Sequence, residues 1–289
     1  MFKKDNLLKV MEKKEMKSGI LFTIFIFLFL IFSVFSGLFL ILSNNKDYSV
    51  ISSFLSYVVS TVLLFLVSKA LIPNEKEKIF NKFNPIYLLF AIILAFGMMF
   101  GFGFINSLFS IFMEKLGVSM PATEIDLSSF PKYIFNVVAL AVTPAVFEEI
   151  VFRHFILKGI KGNIIIGSLL SAFCFSLYHF SLSQFIYQVI YGFFLSVLAI
   201  KSGSIIPGIL AHFINNFIVL TLEYFKLNIN LFSWWVILIG LFLTAIFIFY
   251  TLIYKREKAQ EKVEVIPFVL GAGVGFIVCI SILVGGLIG

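Results

Sequence analysis

Charged residues are scarce in this chain. Only 13% of its 289 residues are Asp, Glu, Lys or Arg, while 61% are hydrophobic and the mean hydropathy is +1.08. In a soluble domain about a quarter of the residues are charged. The apolar residues form continuous runs rather than an alternating pattern, which favours spanning helices over a membrane β-barrel. The sequence therefore predicts an all-α, polytopic integral membrane protein without a separate soluble domain.

Cysteine and aspartate are also rare, and their positions exclude several kinds of site. Cys174 and Cys279 both lie in apolar runs, where they are predicted to be small buried hydrophobes rather than parts of a disulfide or metal framework. The three aspartates, Asp5, Asp47 and Asp126, lie outside the apolar runs, which excludes a mechanism that needs two buried aspartates. The zinc-protease motif His-Glu-x-x-His is absent.

Long apolar segments make up most of the chain and predict about eight or nine helical spans of roughly 20 residues each. They cover 19–43, 48–72, 86–113, 133–160, 163–181, 184–201, 204–223, 233–254 and 266–289. The first segment is too long for a signal-peptide core and is predicted to be a retained span. We divide the chain into a basic N-terminus with spans 1–3 (1–132), a core of spans 4–7 (133–223) and spans 8–9 (224–289).

The distribution of Lys and Arg predicts the orientation. If the N-terminus lies in the cytoplasm and the spans alternate, the inner segments hold 18 of the 22 basic residues and the outer segments hold 4. Membrane proteins concentrate basic residues in cytoplasmic segments. The net charge of +7 comes from these short patches, so it predicts topology rather than nucleic-acid binding. We expect a multi-pass protein of the cell membrane, in contact with the lipid bilayer, with a cytoplasmic N-terminus.

Two adjacent glutamates, Glu148 and Glu149, stand out in the fourth span, and Arg153 follows. A charged side chain at the centre of a bilayer costs about 3 kcal/mol or more, so such residues usually face a protein interior and have a function. Glu149 and Arg153 are four residues apart and share a helix face, which predicts an ion pair between them and leaves Glu148 to point into a cavity. A purely structural ion pair would explain one glutamate but not both.

Further polar side chains occur in the fifth and seventh spans. His179 ends the fifth span, and His212 and Asn216 lie one helical turn apart on the seventh. Each of them alone is compatible with structural polar packing between helices. His154 and Asn215 are predicted to be structural.

The depths of these residues in the membrane agree. At 1.5 Å per residue from the predicted cytoplasmic turns, Glu148 and His179 lie about 21 and 26 Å deep. His212 and Asn216 lie about 14 and 20 Å deep by the same measure. Three helices thus bring their polar residues to within about two helical turns of one level, which predicts a shared site.

The chemistry of these groups favours metal-free hydrolysis. A carboxylate in an apolar cavity is a better base near neutrality than one in water, so Glu148 with His179 would activate a water molecule. His212 and Asn216 would stabilise the oxyanion that forms on an attacked amide. A zinc ion held by Glu148, His179 and His212 is the less favoured alternative. No nucleophile-elbow pattern supports a serine nucleophile.

Three motifs in this order resemble the CPBP family, which includes the CAAX-prenyl endopeptidases of the Rce1 type and bacterial proteins linked to bacteriocin self-immunity and abortive infection. They are Glu148-Glu149-x-x-x-Arg153, Phe175-x-x-x-His179 and His212-x-x-x-Asn216, with Pro144 and the stretch Gly203–Pro207 also similar. The resemblance covers about residues 140 to 220.

The resemblance implies a glutamate-dependent intramembrane endopeptidase without a cofactor, whose substrate is a peptide or protein at the membrane. It implies that Glu148 is the base, that His179 is its partner and that His212 and Asn216 form the oxyanion hole. Glu149 and Arg153 would support the site. A non-catalytic bacteriocin-immunity or membrane scaffold protein with the same residues in structural roles is the main alternative. A transporter is less favoured, because paired broken helices are not evident. The oligomeric state is left open.

Overall fold

The fold is helical throughout the part of the chain that the computed structural model describes, which comprises residues 14–43, 58–68, 78–117, 125–160, 164–253 and 265–288. No strand occurs in these ranges. Six helices are long and apolar enough to cross a membrane. The predicted all-α, polytopic membrane class is confirmed.

Ten helices can be numbered in these ranges. They are α1 (Lys14–Ser43), α2 (Val58–Ser68), α3 (Ile86–Phe102), α4 (Phe104–Lys115), α5 (Phe130–Gly159), α6 (Ile164–Tyr178), α7 (Leu182–Ser202), α8 (Ile206–Tyr224), α9 (Trp234–Ile253) and α10 (Val269–Ile288). Each predicted span overlaps at least one of them, and the third overlaps both α3 and α4. The predicted span 48–72 is described only at 58–68, and its remainder lies outside the described residues.

The span count and the domain boundaries stay predictions. Besides the six long helices, three shorter apolar helices occur in the described ranges, and α6 is one of them. With 15 residues, α6 is about 22 Å long, which is less than the roughly 30 Å thickness of the hydrocarbon layer. His179 follows directly after its last residue, so the end of this short helix sets the position of the histidine.

Helix α5 carries both glutamates and has irregular winding. Its α-helical parts, Phe130–Asn136 and Thr143–Glu149, are each followed by a π-helical part, Val137–Val142 and Ile150–Ile156. Pro144 cannot donate a backbone hydrogen bond, which favours a change of winding at this point. Turns of the π type are rare and are often found at functional sites. They set the rotation of the Glu148–Glu149 turn relative to the rest of α5.

Two apolar clusters flank the middle of the bundle. The first joins α1, α2, the second half of α5, α6 and the segment at the start of α10, and it includes Phe25, Phe152 and Phe175. The second joins α3, α7, α8 and α9 around Leu94 and Phe247. Between them α5 packs on α6 and α8, and α6 packs on α7. The polar residues of the middle spans lie between these two clusters.

Glycines permit close crossings outside this central region. A Cβ atom at Gly97 would lie 2.7 Å from the Thr244 hydroxyl, and one at Gly101 would lie 2.8 Å from the Gly240 carbonyl carbon. On α10, a Cβ atom at Gly271 would lie 2.8 Å from the Phe22 ring. These small residues therefore lie at helix contacts inside the chain, as their spacing predicts.

The turn between α7 and α8 fixes where α8 starts. Gly203 adopts a left-handed backbone conformation with φ +69°, and its N–H donates to the Ala199 carbonyl to end α7. The Ser204 side chain then accepts from the Ile206 N–H at 3.3 Å, at the first turn of α8. Because this turn is tight, His212 lies only two turns into α8, at the level of the glutamates of α5.

Candidate functional site

Glu148 lies between two histidine side chains at the centre of the site. Its Oε2 is 3.7 Å from His179 Nε2 and 3.8 Å from His212 Nε2. The side chains of Glu148 and His212 are 2% and 5% exposed, whereas that of His179 is 15% exposed. The structure thus brings together three predicted site residues from α5, the end of α6 and α8, and the site is most open at His179.

Glu149 forms a second, deeper layer with Arg153. Its Oε1 is 2.8 Å from Arg153 Nη1, and both side chains are completely buried. The same Oε1 is 3.2 Å from His212 Nδ1. Glu149 therefore pairs with Arg153, as the i, i+4 spacing predicts, and also holds the histidine that faces Glu148.

Arg153 is enclosed by backbone and aromatic groups. Its Nη2 donates to the Gly192 carbonyl of α7 at 3.2 Å, and its guanidinium carbon lies 4.5 Å from the centroid of the Phe175 ring. A planar guanidinium makes both contacts at once, which a lysine does not. Arg153 consequently ties α5 to α6 and α7 beneath the site.

A backbone carbonyl and a carboxylate fix the orientation of the two imidazole rings. His179 Nδ1 lies 2.8 Å from the Phe175 carbonyl, and a carbonyl only accepts, so Nδ1 carries a proton. His212 Nδ1 donates in the same way to the Glu149 carboxylate. In the neutral form, each ring therefore presents the lone pair of Nε2 towards Glu148.

The charges of this cluster do not balance when both glutamates are ionised. Two carboxylates then face a single guanidinium in a desolvated space, and an uncompensated buried charge is costly. One additional proton, on Glu148 or on one of the two imidazoles, neutralises the cluster.

Asn216 lies one turn beyond His212 on α8, and its side-chain amide donates to the Leu140 carbonyl at 3.4 Å. Leu140 belongs to the first π-helical part of α5. Asn215 contacts Asn216 and accepts a 2.7 Å hydrogen bond from the Tyr187 hydroxyl. An amide nitrogen carries two hydrogens, so this contact occupies one of the two donors of Asn216.

His154 lies apart from the Glu148 cluster. It is buried near the end of α5, and its Nδ1 is 2.9 Å from Lys158 Nζ. Its predicted structural role stays a prediction.

Two features of the site were missed by sequence reasoning. A Cβ atom at Gly208 would lie 2.8 Å from Glu149 Oε2, so a glycine here gives the buried carboxylate its space. The Phe175 ring packs edge-on against both His179 and His212, with centroids 4.7 and 5.9 Å apart. Gly208 directly follows the stretch Gly203–Pro207, whose similarity to the family was the only sequence feature that pointed to this position.

A zinc site would need several ligand side chains close enough to share one ion. Among the residues that the structure describes, no group of three or more His, Cys, Asp or Glu side chains is placed to hold a metal ion. The metal-free mechanism stays a prediction.

Residues 130–218 match the family model described as type II CAAX prenyl endopeptidase Rce1-like. The matched segment runs from the start of α5 into α8 and includes all three motifs, so the predicted resemblance is confirmed for this part of the chain. No curated protein and no solved structure shows a significant match. The family match supports an intramembrane protease at the family level.

Proposed function

We propose that this protein is an intramembrane endopeptidase that hydrolyses a peptide bond of a membrane-associated protein or peptide, with Glu148 as its base. The observation that carries the proposal is the position of Glu148 Oε2, 3.7 and 3.8 Å from the Nε2 atoms of His179 and His212. The match of residues 130–218 to an Rce1-like family model supports the same reaction class.

The distances suit a bridging water molecule. A water molecule about 2.8 Å from Glu148 Oε2 can also lie within hydrogen-bond reach of an Nε2 atom 3.7 or 3.8 Å away. The carboxylate takes one proton from this water, and the His179 Nε2 lone pair accepts its second O–H. The oxygen is then oriented to add to a peptide carbonyl carbon.

The oxyanion that results needs hydrogen-bond donors. His212 supplies one from Nε2 when the ring is protonated at both nitrogens, with its Nδ1 held by the Glu149 carboxylate. The second hydrogen of the Asn216 amide supplies another. When the tetrahedral intermediate collapses, the C–N bond breaks and protonated Glu148 gives its proton to the leaving nitrogen. The products are a carboxylic acid and an amine.

The test compares the peptide and protein termini of membranes from cells with and without the protein, measured by mass spectrometry. Glu148→Gln should remove all termini that depend on the wild-type protein, because an amide cannot take the proton from water. His179→Ala should have a similar effect. The matched controls are Glu223→Gln, at an exposed glutamate of α8, and His154→Ala. Full processing by a well-expressed Glu148→Gln variant would refute the mechanism.

Two further experiments distinguish the proposal from a zinc-dependent mechanism and from a non-catalytic function. A zinc chelator should leave processing unchanged, and loss of processing that zinc restores would replace the metal-free mechanism. If the protein protects cells from a bacteriocin and Glu148→Gln and His179→Ala still protect them, the non-catalytic immunity or scaffold function is correct.

A further inference from the structure

A cavity lies beneath the glutamate site, at the end of the bundle that is predicted to face the cytoplasm. Its volume is about 270 Å³, and it opens where α5 ends, α6 begins and α7 turns into α8. Arg153 lies at its inner end, and Asn81, Lys158 and Ser204 are among its polar lining residues. The described lining includes none of Glu148, His179 and His212, so this cavity is separate from the proposed catalytic cluster.

The polar part of this cavity favours an anion. The lining contains two cations, Arg153 and Lys158, and no acidic residue among those described. Arg153 is 1% exposed, and its Nε has no hydrogen-bond partner among the described residues. The first turn of α8, at Ser204 to Ile206, adds the positive end of a 19-residue helix. Glu149 pairs with Arg153 on the far side, and Lys158 adds a second cation to the lining.

The remaining walls of the cavity are aliphatic and lead to an exposed apolar surface. Ile164 lines the cavity at the start of α6. The next residues of that helix, Ile165, Ile166 and Leu169, are 54%, 48% and 46% exposed. A ligand that combines an anionic head with apolar chains would place its head in the cavity and its chains along α6.

We propose that this cavity binds the phosphate of an anionic phospholipid headgroup. Basic pockets between helices at the cytoplasmic side of a membrane are suited to such headgroups. A volume of about 270 Å³ accommodates a phosphate with a small polar substituent, whereas the acyl chains stay in the bilayer. The proposal does not depend on peptidase activity, because Glu148, His179 and His212 are not among the described lining residues and only Arg153 is shared with the deeper layer of that site.

The experiment measures lipids that stay bound to the full-length protein in native mass spectrometry, after extraction from an equimolar mixture of phosphatidylglycerol and phosphatidylcholine. The wild-type protein should retain phosphatidylglycerol in preference. Lys158→Gln should weaken this retention roughly fivefold, as expected for the loss of one cation near the membrane surface. Lys82→Gln, at an exposed lysine of the same end, is the matched control and should not change it.

A second variant tests the cavity without a change of charge. Gly167 lines the cavity, and a Cβ atom there would make only an ordinary 3.5 Å contact with Ile160. Gly167→Leu should therefore fold, fill the cavity and abolish the preference for phosphatidylglycerol. Glu148→Gln should retain the lipid, which separates this proposal from the peptidase proposal.

Three results would overturn the lipid site. The first is equal retention of phosphatidylglycerol and phosphatidylcholine by the wild-type protein. The second is an equal loss of phosphatidylglycerol retention in the Lys158→Gln and Lys82→Gln variants. The third is complete displacement of the lipid by inorganic phosphate or glycerol phosphate, which would assign the cavity to a soluble anion.

Discussion

At the residue scale, the two glutamates differ in what surrounds them. Glu149 is the only carboxylate partner among the described contacts of buried Arg153, whereas Glu148 faces two imidazoles. Glu149→Gln should therefore destabilise the fold by about 3 kcal/mol, because it leaves a buried guanidinium unpaired. The apparent unfolding temperature of the purified protein in detergent measures this loss. An unchanged unfolding temperature would contradict the structural role of Glu149, and Glu223→Gln is the control.

Two tyrosines on α7 give a second prediction at this scale. The Tyr187 hydroxyl donates to Asn215 at 2.7 Å, whereas the buried Tyr191 hydroxyl has no hydrogen-bond partner among the described residues. Tyr187→Phe should cost about 1 kcal/mol of stability, and Tyr191→Phe should be neutral or stabilising. The two variants remove the same atom from the same helix, so each serves as the control of the other in thermal unfolding. A larger loss for Tyr191→Phe would reveal a partner of its hydroxyl.

The sequence alone allowed the Glu149–Arg153 pair to be predicted, because it depends only on the spacing within one helix. The contact between Glu149 and His212 joins residues 63 positions apart, and it depends on how α5 and α8 are rotated against each other. That rotation is set by the π-helical turns of α5 and by the space at Gly208, and neither has a clear pattern in a single sequence. The estimated depths in the membrane predicted that these residues share a site, whereas helix packing determines which of them are in contact.

At the element scale, helix existence was predictable and helix winding was not. Long apolar runs bounded by turn residues place α6 to α9 to within a few residues of the predicted segments. The π-helical parts of α5 lie within an ordinary apolar run, and only Pro144 signals an irregularity there. The apolar period shows that a helix forms but does not show where it takes an extra residue per turn.

Helices α3 and α9 cross so closely that a single added methyl group should separate them. A Cβ atom at Gly240 would overlap the backbone of α3 at Phe100 and Gly101, which has no side-chain freedom to yield. Gly240→Ala should force these helices apart and cost about 3 kcal/mol, at the upper end of ordinary overpacking. Gly273→Ala on α10, where a Cβ atom would meet nothing within 4 Å, is the matched control. Thermal unfolding of both variants tests the contact, and equal unfolding temperatures would contradict it.

At the scale of the whole molecule, the helices place the described connections on two faces. The start of α5 and the end of α8 meet where the Tyr133 and Thr221 hydroxyls are hydrogen-bonded, and the opposite ends lie near the hydrogen bond from Asn81 to the Gly203 carbonyl. The side of the molecule that contains Asn81 carries the excess of basic residues, which predicts that this side is cytoplasmic. This assignment decides whether the Lys158 cavity, which is the proposed lipid site, faces the cytoplasmic leaflet, whose anionic lipids attract basic groups.

Single cysteines test this orientation with little background, because Cys174 and Cys279 are 0% and 1% exposed. Lys82→Cys and Asn230→Cys each introduce a thiol at an exposed position on one of the two faces. A membrane-impermeant maleimide added to intact cells should label Asn230→Cys and leave Lys82→Cys unlabelled until the membrane is opened. The reverse pattern would place the N-terminus outside and turn the Lys158 cavity away from the cytoplasmic leaflet. Labelling of both thiols in intact cells would contradict the assignment of these positions to opposite faces.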